Sequence, residues 1–323
     1  MRIAIVGAGA LGSIYALRLS RVAPITLVVR DLDRAPRRIV GEKVNGSSPA
    51  EDALAAPSAS TTIPGDADAV LVTVRVEQLT DALLEKLAHA GPEGRIVVTL
   101  TPLLPQDHDR VRAALGERLV VGMPGVVAYE PESHENKGER RIRYWTPRAT
   151  PTALDARPAS DPRAATMAAL CETMVAAGLP CVTLADVRTI NPATTIAFFP
   201  MLLGIEAAGG SIAKLIDDTP LMRLSLDASK EARALSKTVG ELASFSSLFF
   251  SFASPFTVRA GAKLARLRYP ESITFLERHF GSKLHTQHAA MLAMITALAR
   301  ERHVPVDNLL RLSERASAGR RHC

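Results

Sequence analysis

Residues 1–19 read MRIAIVGAGALGSIYALRL, and this stretch decides the fold. Arg2–Val6 is a short apolar run of strand character, and the pattern of Ala10–Val22 is helical, so the glycines between them occupy a strand-to-helix turn. Gly7-Ala8-Gly9-Ala10-Leu11-Gly12 has the GxGxxG spacing. Gly7 permits the tight turn, Gly9 has no side chain to block a pyrophosphate, and Gly12 lets the helix pack closely on the strand. The free amides and positive dipole end of the helix then face the phosphates. A positive residue followed by an apolar run also has the look of a signal peptide, but the glycine spacing explains the run better.

The end of the second strand, Ile25–Arg30, bears on the choice of dinucleotide. An acidic residue about 20 positions after the turn bonds a ribose 2′-hydroxyl, whereas an arginine accommodates a 2′-phosphate. Arg30 lies 23 residues after Gly7 and is the first polar residue off the strand. Its planar fork suits a phosphate. Asp31 is the competing residue, and the reading favours NADP.

Working outward, Ala69–Val74, Arg95–Thr101 and Cys181–Leu184 read as further strands, with helices over Gln78–Ala90 and Pro162–Ala177. Continuous Val/Ile/Leu runs alternating with helices predict a parallel sheet covered on both faces. Beyond Leu184 the β-rich runs stop. Helical patterns follow over Leu221–Ala243, Ala260–Arg268, Ser272–His279, His285–Arg302 and Asn308–Ser313, and all nine Phe lie beyond residue 197. The expected class is α/β: a doubly wound dinucleotide-binding sheet over residues 1–184, then an all-helical domain over 185–323. The segment Ala243–Phe256 (ASFSSLFFSFASPF) reads as a buried helical turn or an interface.

The composition narrows the class. Three cysteines without CxxC spacing argue against a disulfide framework or a zinc site and for a reducing, cytoplasmic setting. The longest apolar stretches are broken by Pro200, Glu206, Ser251 and Pro255, short of the roughly 20 apolar residues a spanning helix needs. Net charge is +6, but the arginines are scattered apart from Arg37-Arg38, Arg140-Arg141 and Arg320-Arg321, so neither nucleic acid nor a membrane surface is expected as a partner.

The opening 19 residues, the strand ending in Arg30 and the stretch Arg75-Val76-Glu77-Gln78 resemble the ketopantoate reductases (2-dehydropantoate 2-reductases). So do Ala185-Asp186-Val187-Arg188 and Glu301-Arg302-His303-Val304-Pro305. The resemblance implies a Rossmann-type domain, an all-helical second domain and NADPH-dependent reduction in the cleft between them. Arg75 and Thr101 join Gly7, Ala8, Gly9, Ala10, Leu11, Gly12 and Arg30 on the cofactor side.

The substrate-handling motifs depart from the family. Its lysine eight residues after the Asp opening the helical half falls on Thr194, and its asparagine four residues later on Phe198. Its Asn-Gly is Pro102-Leu103, its Thr-Glu is Thr286-Gln287, and the lysine of its K-x-x-Q is Arg75. Threonine is far too weak an acid to replace lysine as proton donor. Gln287 keeps hydrogen-bonding capacity without charge. The substrate expected is therefore a carbonyl or imine compound more apolar than ketopantoate. Lys283, which shares a helical face with Gln287, and His288, one step round the helix, are the candidate acids, with Asn191 a further polar candidate. His285 and His288 have no third partner that would make a metal site. The Phe-rich half suits a homodimer interface, with a monomer as the other assembly, and a non-catalytic NADP-binding sensor or scaffold is the alternative role.

Overall fold

The computed structural model describes residues 1–44, 50–89, 91–101, 103–131, 138–147, 150–187, 191–240, 242, 244–268, 271–280 and 285–319. The chain divides into two compact units, Met1–Val187 and Arg188–Cys323. In chain order the first contains β1 (Ile3–Val6), α1 (Ala10–Leu19), β2 (Ile25–Val28), β3 (Arg38–Lys43), β4 (Ala50–Ala55), β5 (Ala59–Ser60), β6 (Ala69–Val72) and α2 (Asp81–Ala88). It continues with β7 (Ile96–Thr99), α3 (Pro105–Leu115), β8 (Leu119–Met123), β9 (Val127–Tyr129), β10 (Glu139–Trp145), β11 (Thr152–Asp155), α4 (Ala164–Ala176) and β12 (Cys181–Leu184).

Among the described residues, eight strands form one sheet in the order β12-β11-β8-β7-β6-β1-β2-β5. Its pairings are parallel except that of β11 with β8. Alternation along β1 separates the two faces. Ile3 and Ile5 join Ile14 and Leu17 of α1 and Leu170 and Met174 of α4. Ala4 and Val6 join Leu84 and Leu87 of α2 and Val111 and Leu115 of α3. Helices on both faces explain why the strands read as unbroken apolar runs.

A second sheet, β4-β3-β10-β9, is absent from the sequence reading. Its strands, such as RIVGEK and ERRIRYW, alternate apolar and charged residues. Ile39, Ile142 and Tyr144 point into the same core as α1. That helix is therefore covered on both sides, with Gly12 through Leu17 and Leu19 buried. A helix apolar all round is a buried helix, which accounts for the signal-peptide look of the N-terminus. The arginines of this sheet are paired with neighbouring acids: Arg38 with Glu139 at 3.4 Å, Arg141 with Glu51 at 2.7 Å and Arg143 with Glu42 at 2.9 Å.

The second unit contains α5 (Asn191–Ala207), α6 (Ile212–Asp217), α7 (Thr219–Ser236), α8 (Ser244–Phe252), α9 (Pro255–Arg268), α10 (Ser272–Phe280), α11 (His285–Glu301) and α12 (Asp307–Gly319). Helices α5, α7 and α12 pack on one another at its centre. Acidic side chains cap neighbours: Glu231 of α7 accepts from the amides of Asn308 and Leu309, and Glu277 of α10 from Ile212. One expected span is corrected: helix α7 stops at Ser236 rather than Ala243. Leu248 and Phe252 of α8 are exposed, which removes the buried-turn reading of that segment and leaves the interface reading open. No helix of the described residues is long and apolar enough to cross a membrane.

Candidate functional site

The turn after β1 is built as its glycines require. Gly7 adopts φ +105°, a conformation L side chains rarely take, and its amide donates to the Val28 carbonyl at 3.2 Å. An ideal Cβ on Gly12 would stand 1.9 Å from the Gly7 carbonyl oxygen and 2.5 Å from the Thr73 hydroxyl oxygen. A Cβ on Gly9 would meet nothing within 4 Å. Gly9 caps α1 without a side-chain bond, and the first turn contains no acidic residue. The amides of Ala10, Leu11 and Gly12 have no intrahelical acceptor by helix geometry, so an open space lies before a bare, electropositive helix end. That arrangement fits a pyrophosphate.

Thr73, just past β6, was not singled out from the sequence. Its hydroxyl faces the carbonyls of Val6 and Gly7 at 3.1 and 3.0 Å and pins the turn from the neighbouring strand end. No local motif marks it, since the contact spans 66 residues. Thr101 makes an analogous bond, its hydroxyl donating to the Val74 carbonyl. Arg75 follows Val74; its amide donates to Gln78 Oε1 at 3.1 Å and its guanidinium pairs with Glu77 at 3.0 Å. The structure thus brings Thr101 and Arg75 together through Val74. Pro102 lies outside the described residues.

Register aligns Val6 with Val28 and Val72, so β1, β2 and β6 end level. Strand β2 stops at Val28, two residues before the expected Arg30. Arg30 lies exposed beyond it. Asp31 Oδ1 accepts from the Asp33 amide at 3.0 Å, capping a short 3-10 turn, and its other oxygen lies 3.7 Å from Arg34. The competing carboxylate is therefore occupied, and Arg30 has no ion pair among the described residues.

In the helical unit, Lys283 lies outside the described residues, as do the side chains of Asn191, Thr194, His285 and Gln287. His288 is described, and it is not the solvated residue a helix start suggests. It is 3% exposed, and its Nδ1–H donates to Glu206 Oε2 at 2.7 Å. The Phe199 ring meets the imidazole edge-on at 5.9 Å. Nε2 has no hydrogen-bond partner among the described residues. Glu206 was missed as a site residue, although it is the one charged residue in α5. A pocket of about 270 Å³ adjoins this pair, lined in part by Leu203, His288, Leu292, Thr296, Leu310 and Ser313. The Phe198 ring stacks on Phe249 at 5.6 Å and meets Phe250 at a tilt at 4.7 Å between ring centres.

Two other chemically capable groups are locked. Burial pushes the Tyr15 phenol up, and its hydroxyl is bonded to Thr152 at 2.7 Å. Burial, with Cys171 beside it, also raises the Cys181 thiol, which disfavours the nucleophilic thiolate. Among the described residues no group of three His, Cys, Asp or Glu side chains is gathered for a metal.

Residues 3–138 match the family model described as Ketopantoate reductase PanE/ApbA. The match falls within the N-terminal unit and covers less than half of the chain. No curated protein sequence matches the chain. The ketopantoate reductase fold extends over its whole length. The 2-dehydropantoate 2-reductase of Geobacter metallireducens GS-15 is 18% identical with TM-score 0.67, covering 98% of this chain and 99% of its own. The probable 2-dehydropantoate 2-reductase panE of Bacillus subtilis is 17% identical with TM-score 0.66, over 99% and 100%. A D-mandelate dehydrogenase, solved with NADH and anilino(oxo)acetate, is 15% identical with TM-score 0.63, over 99% and 98%. At these identities the likeness is one of fold.

Proposed function

We propose that the chain is a nicotinamide-dependent oxidoreductase of the ketopantoate reductase type, using NADPH to reduce a carbonyl or imine compound more apolar than ketopantoate. The observation that carries this reading is the open space at Gly9 before the uncapped start of α1. There the amides of Ala10 to Gly12 receive the pyrophosphate, while Thr73 and Gly12 keep the turn in shape. The free guanidinium of Arg30 beside an occupied Asp31 favours the 2′-phosphate. A nicotinamide, when bound, supplies hydride. The chain itself must supply the proton, and His288, oriented by Glu206, takes that role together with Lys283. The apolar residues Leu203, Leu292 and Leu310 beside His288 suit a substrate with few hydroxyls. The D-mandelate dehydrogenase, which has the same fold, was solved with NADH and anilino(oxo)acetate.

Cofactor titration by fluorescence or calorimetry tests the reading, followed by turnover on a panel of apolar ketones, 2-oxo acids and imines. NADPH is expected to bind well ahead of NADH. Arg30→Ala should weaken NADPH by roughly ten- to a hundred-fold, the worth of one charge-assisted phosphate contact, and leave NADH within about threefold. Equal loss for the two cofactors would remove the 2′-phosphate assignment. Binding without turnover on any member of the panel would favour a sensor or scaffold.

A further inference from the structure

A soluble monomer leaves large apolar side chains in water singly, and a gathered patch above about 300–600 Å² marks a contact surface. The five most exposed large apolar residues of the described chain all lie on α8 and α9. They are Leu248, Phe252, Phe256, Leu264 and Leu267, each between 60% and 82% exposed. At ~200 Å² for a large side chain they leave roughly 700 Å² of apolar surface in water. The turn between the two helices is fixed: the Thr257 hydroxyl donates to the Phe252 carbonyl at 2.7 Å, and the Thr257 amide donates to the Ser254 hydroxyl at 3.1 Å. Phe252 and Phe256 therefore flank one ordered corner.

Helix α9 is apolar on both sides. Its inner side packs on α6, α7 and α10, with Val258 against the core formed by Leu215 and Met222. On its outer side Phe256, Ala260 and Leu264 follow at i, i+4 and i+8, with Leu267 alongside, and all four are exposed. A helix apolar all round is normally covered all round. Charge on the outer side is sparse. Arg259 is held by the Ile216 carbonyl at 2.9 Å and the Thr219 hydroxyl at 2.7 Å, which leaves Lys263 as the exposed basic side chain described on α9. An anionic lipid surface is bound by clusters of about four or more such residues.

We infer that the α8–α9 face is covered by a second copy of the chain, packed about a two-fold axis that passes beside Ala260. The size fits. Covering this patch on two copies removes about 1,400 Å² from water, within the range of stable interfaces. The shape fits as well. An isologous contact needs a self-complementary face, and the Phe256–Ala260–Leu264 ridge runs large, small, large. With two such i+4 ridges interdigitated at about 50°, the helices approach at Ala260, and Leu264 of each copy lies beside Phe256 of the other. The contact involves no residue of the glycine turn, so it stands apart from the cofactor reading.

Sedimentation velocity and light scattering on the full chain test this. A dimer is expected at roughly 10 μM, since interfaces of this size hold at micromolar concentrations or below. Phe256→Glu and Leu264→Glu, both at exposed positions, should each raise the dissociation constant at least about thirtyfold, as loss of a central anchor does. Ala260→Leu adds apolar surface yet should weaken the dimer about tenfold, because it holds the crossing helices apart. Val175→Glu, at an exposed valine of α4, should leave the dimer unchanged. Hydrogen exchange gives a readout free of substitutions: exchange in α9 should slow as the unaltered chain is concentrated, while exchange in α4 stays constant. A monomer at about 100 μM, or a dimer that survives Phe256→Glu and Leu264→Glu, overturns the inference. So does a monomer that pellets with phosphatidylglycerol vesicles and is released by salt and by the same two variants, which would make the face a lipid-docking surface.

Discussion

Gly12→Ala is expected to abolish cofactor binding and to destabilise the N-terminal unit, whereas Gly9→Ala is expected to weaken binding alone, by roughly a hundredfold. The two glycines look equivalent in the motif, yet their surroundings are opposite. A methyl on Gly12 would stand 1.9 Å from a backbone oxygen, and backbone cannot rotate away as a side chain can. Overpacking costs about 1–3 kcal/mol when side chains can yield, so here the loss should reach or exceed the top of that range, with the α1 start displaced from β1. A methyl on Gly9 enters empty space and costs the apo protein only the few tenths to about 1 kcal/mol by which alanine is a poorer N-cap. It would occupy the place proposed for the pyrophosphate, and forfeiting one or two charge-assisted bonds amounts to roughly a hundredfold in affinity. Thermal melts and cofactor titrations of both variants check this. A Gly9→Ala protein that binds cofactor normally would mean the phosphate does not approach there.

The second large effect concerns a buried cation. Arg95, at the start of β7, is 1% exposed. Its Nε donates to the Ala67 carbonyl at 2.8 Å, and one terminal nitrogen to those of Pro64 and Gly65 at 2.8 and 2.9 Å. Burial pushes the pKa of the guanidinium below its usual value, and the charge of Arg118 adds to this. The fork ties down the loop that leads into β6. Arg95→Leu keeps much of the bulk but strands these carbonyls, at about 1–3 kcal/mol for each that finds no water. A total of about 3–5 kcal/mol is expected, or a fall in Tm of roughly 6–20 °C for a unit of this size. Arg95→Lys should recover little, because an ammonium cannot span the same carbonyls with a rigid fork. A melting point within about 2 °C of the parent would show that solvent replaces the guanidinium.

The sequence made legible what is written in contiguous residues. β1, β2, β6, β7 and β12 are apolar runs, α1 and α4 have helical patterns, and the glycine turn has a fixed spacing. What escaped is long-range. β8, an apolar run like the others, is missing from that reading, as is the four-residue β11. The small sheet alternates Ile and Val with Arg and Glu, so its arginines read as a basic cluster until their partners 90 and 101 residues away are known. Helix α5 runs through Pro200, which reads as a break. Thr73 meets the turn, and Glu206 meets His288, only by folding, across 66 and 82 residues. The lone acid on an otherwise uncharged helix was the available signal for Glu206, because such a group is retained in a core only when paired.

The small sheet has a consequence for how the chain is made. β10 lies parallel to β3, Glu139 opposite Arg38, so the pairing must close a loop of about a hundred residues. Such contacts form late, since loop entropy is spent before they contribute. During synthesis at about 5–20 residues per second, Ile14 and Leu17 have one side uncovered until residues 139–145 emerge, and β3 presents an open edge for many seconds. Helix α1, which begins at the glycine turn, is therefore completed by residues from the middle of the chain.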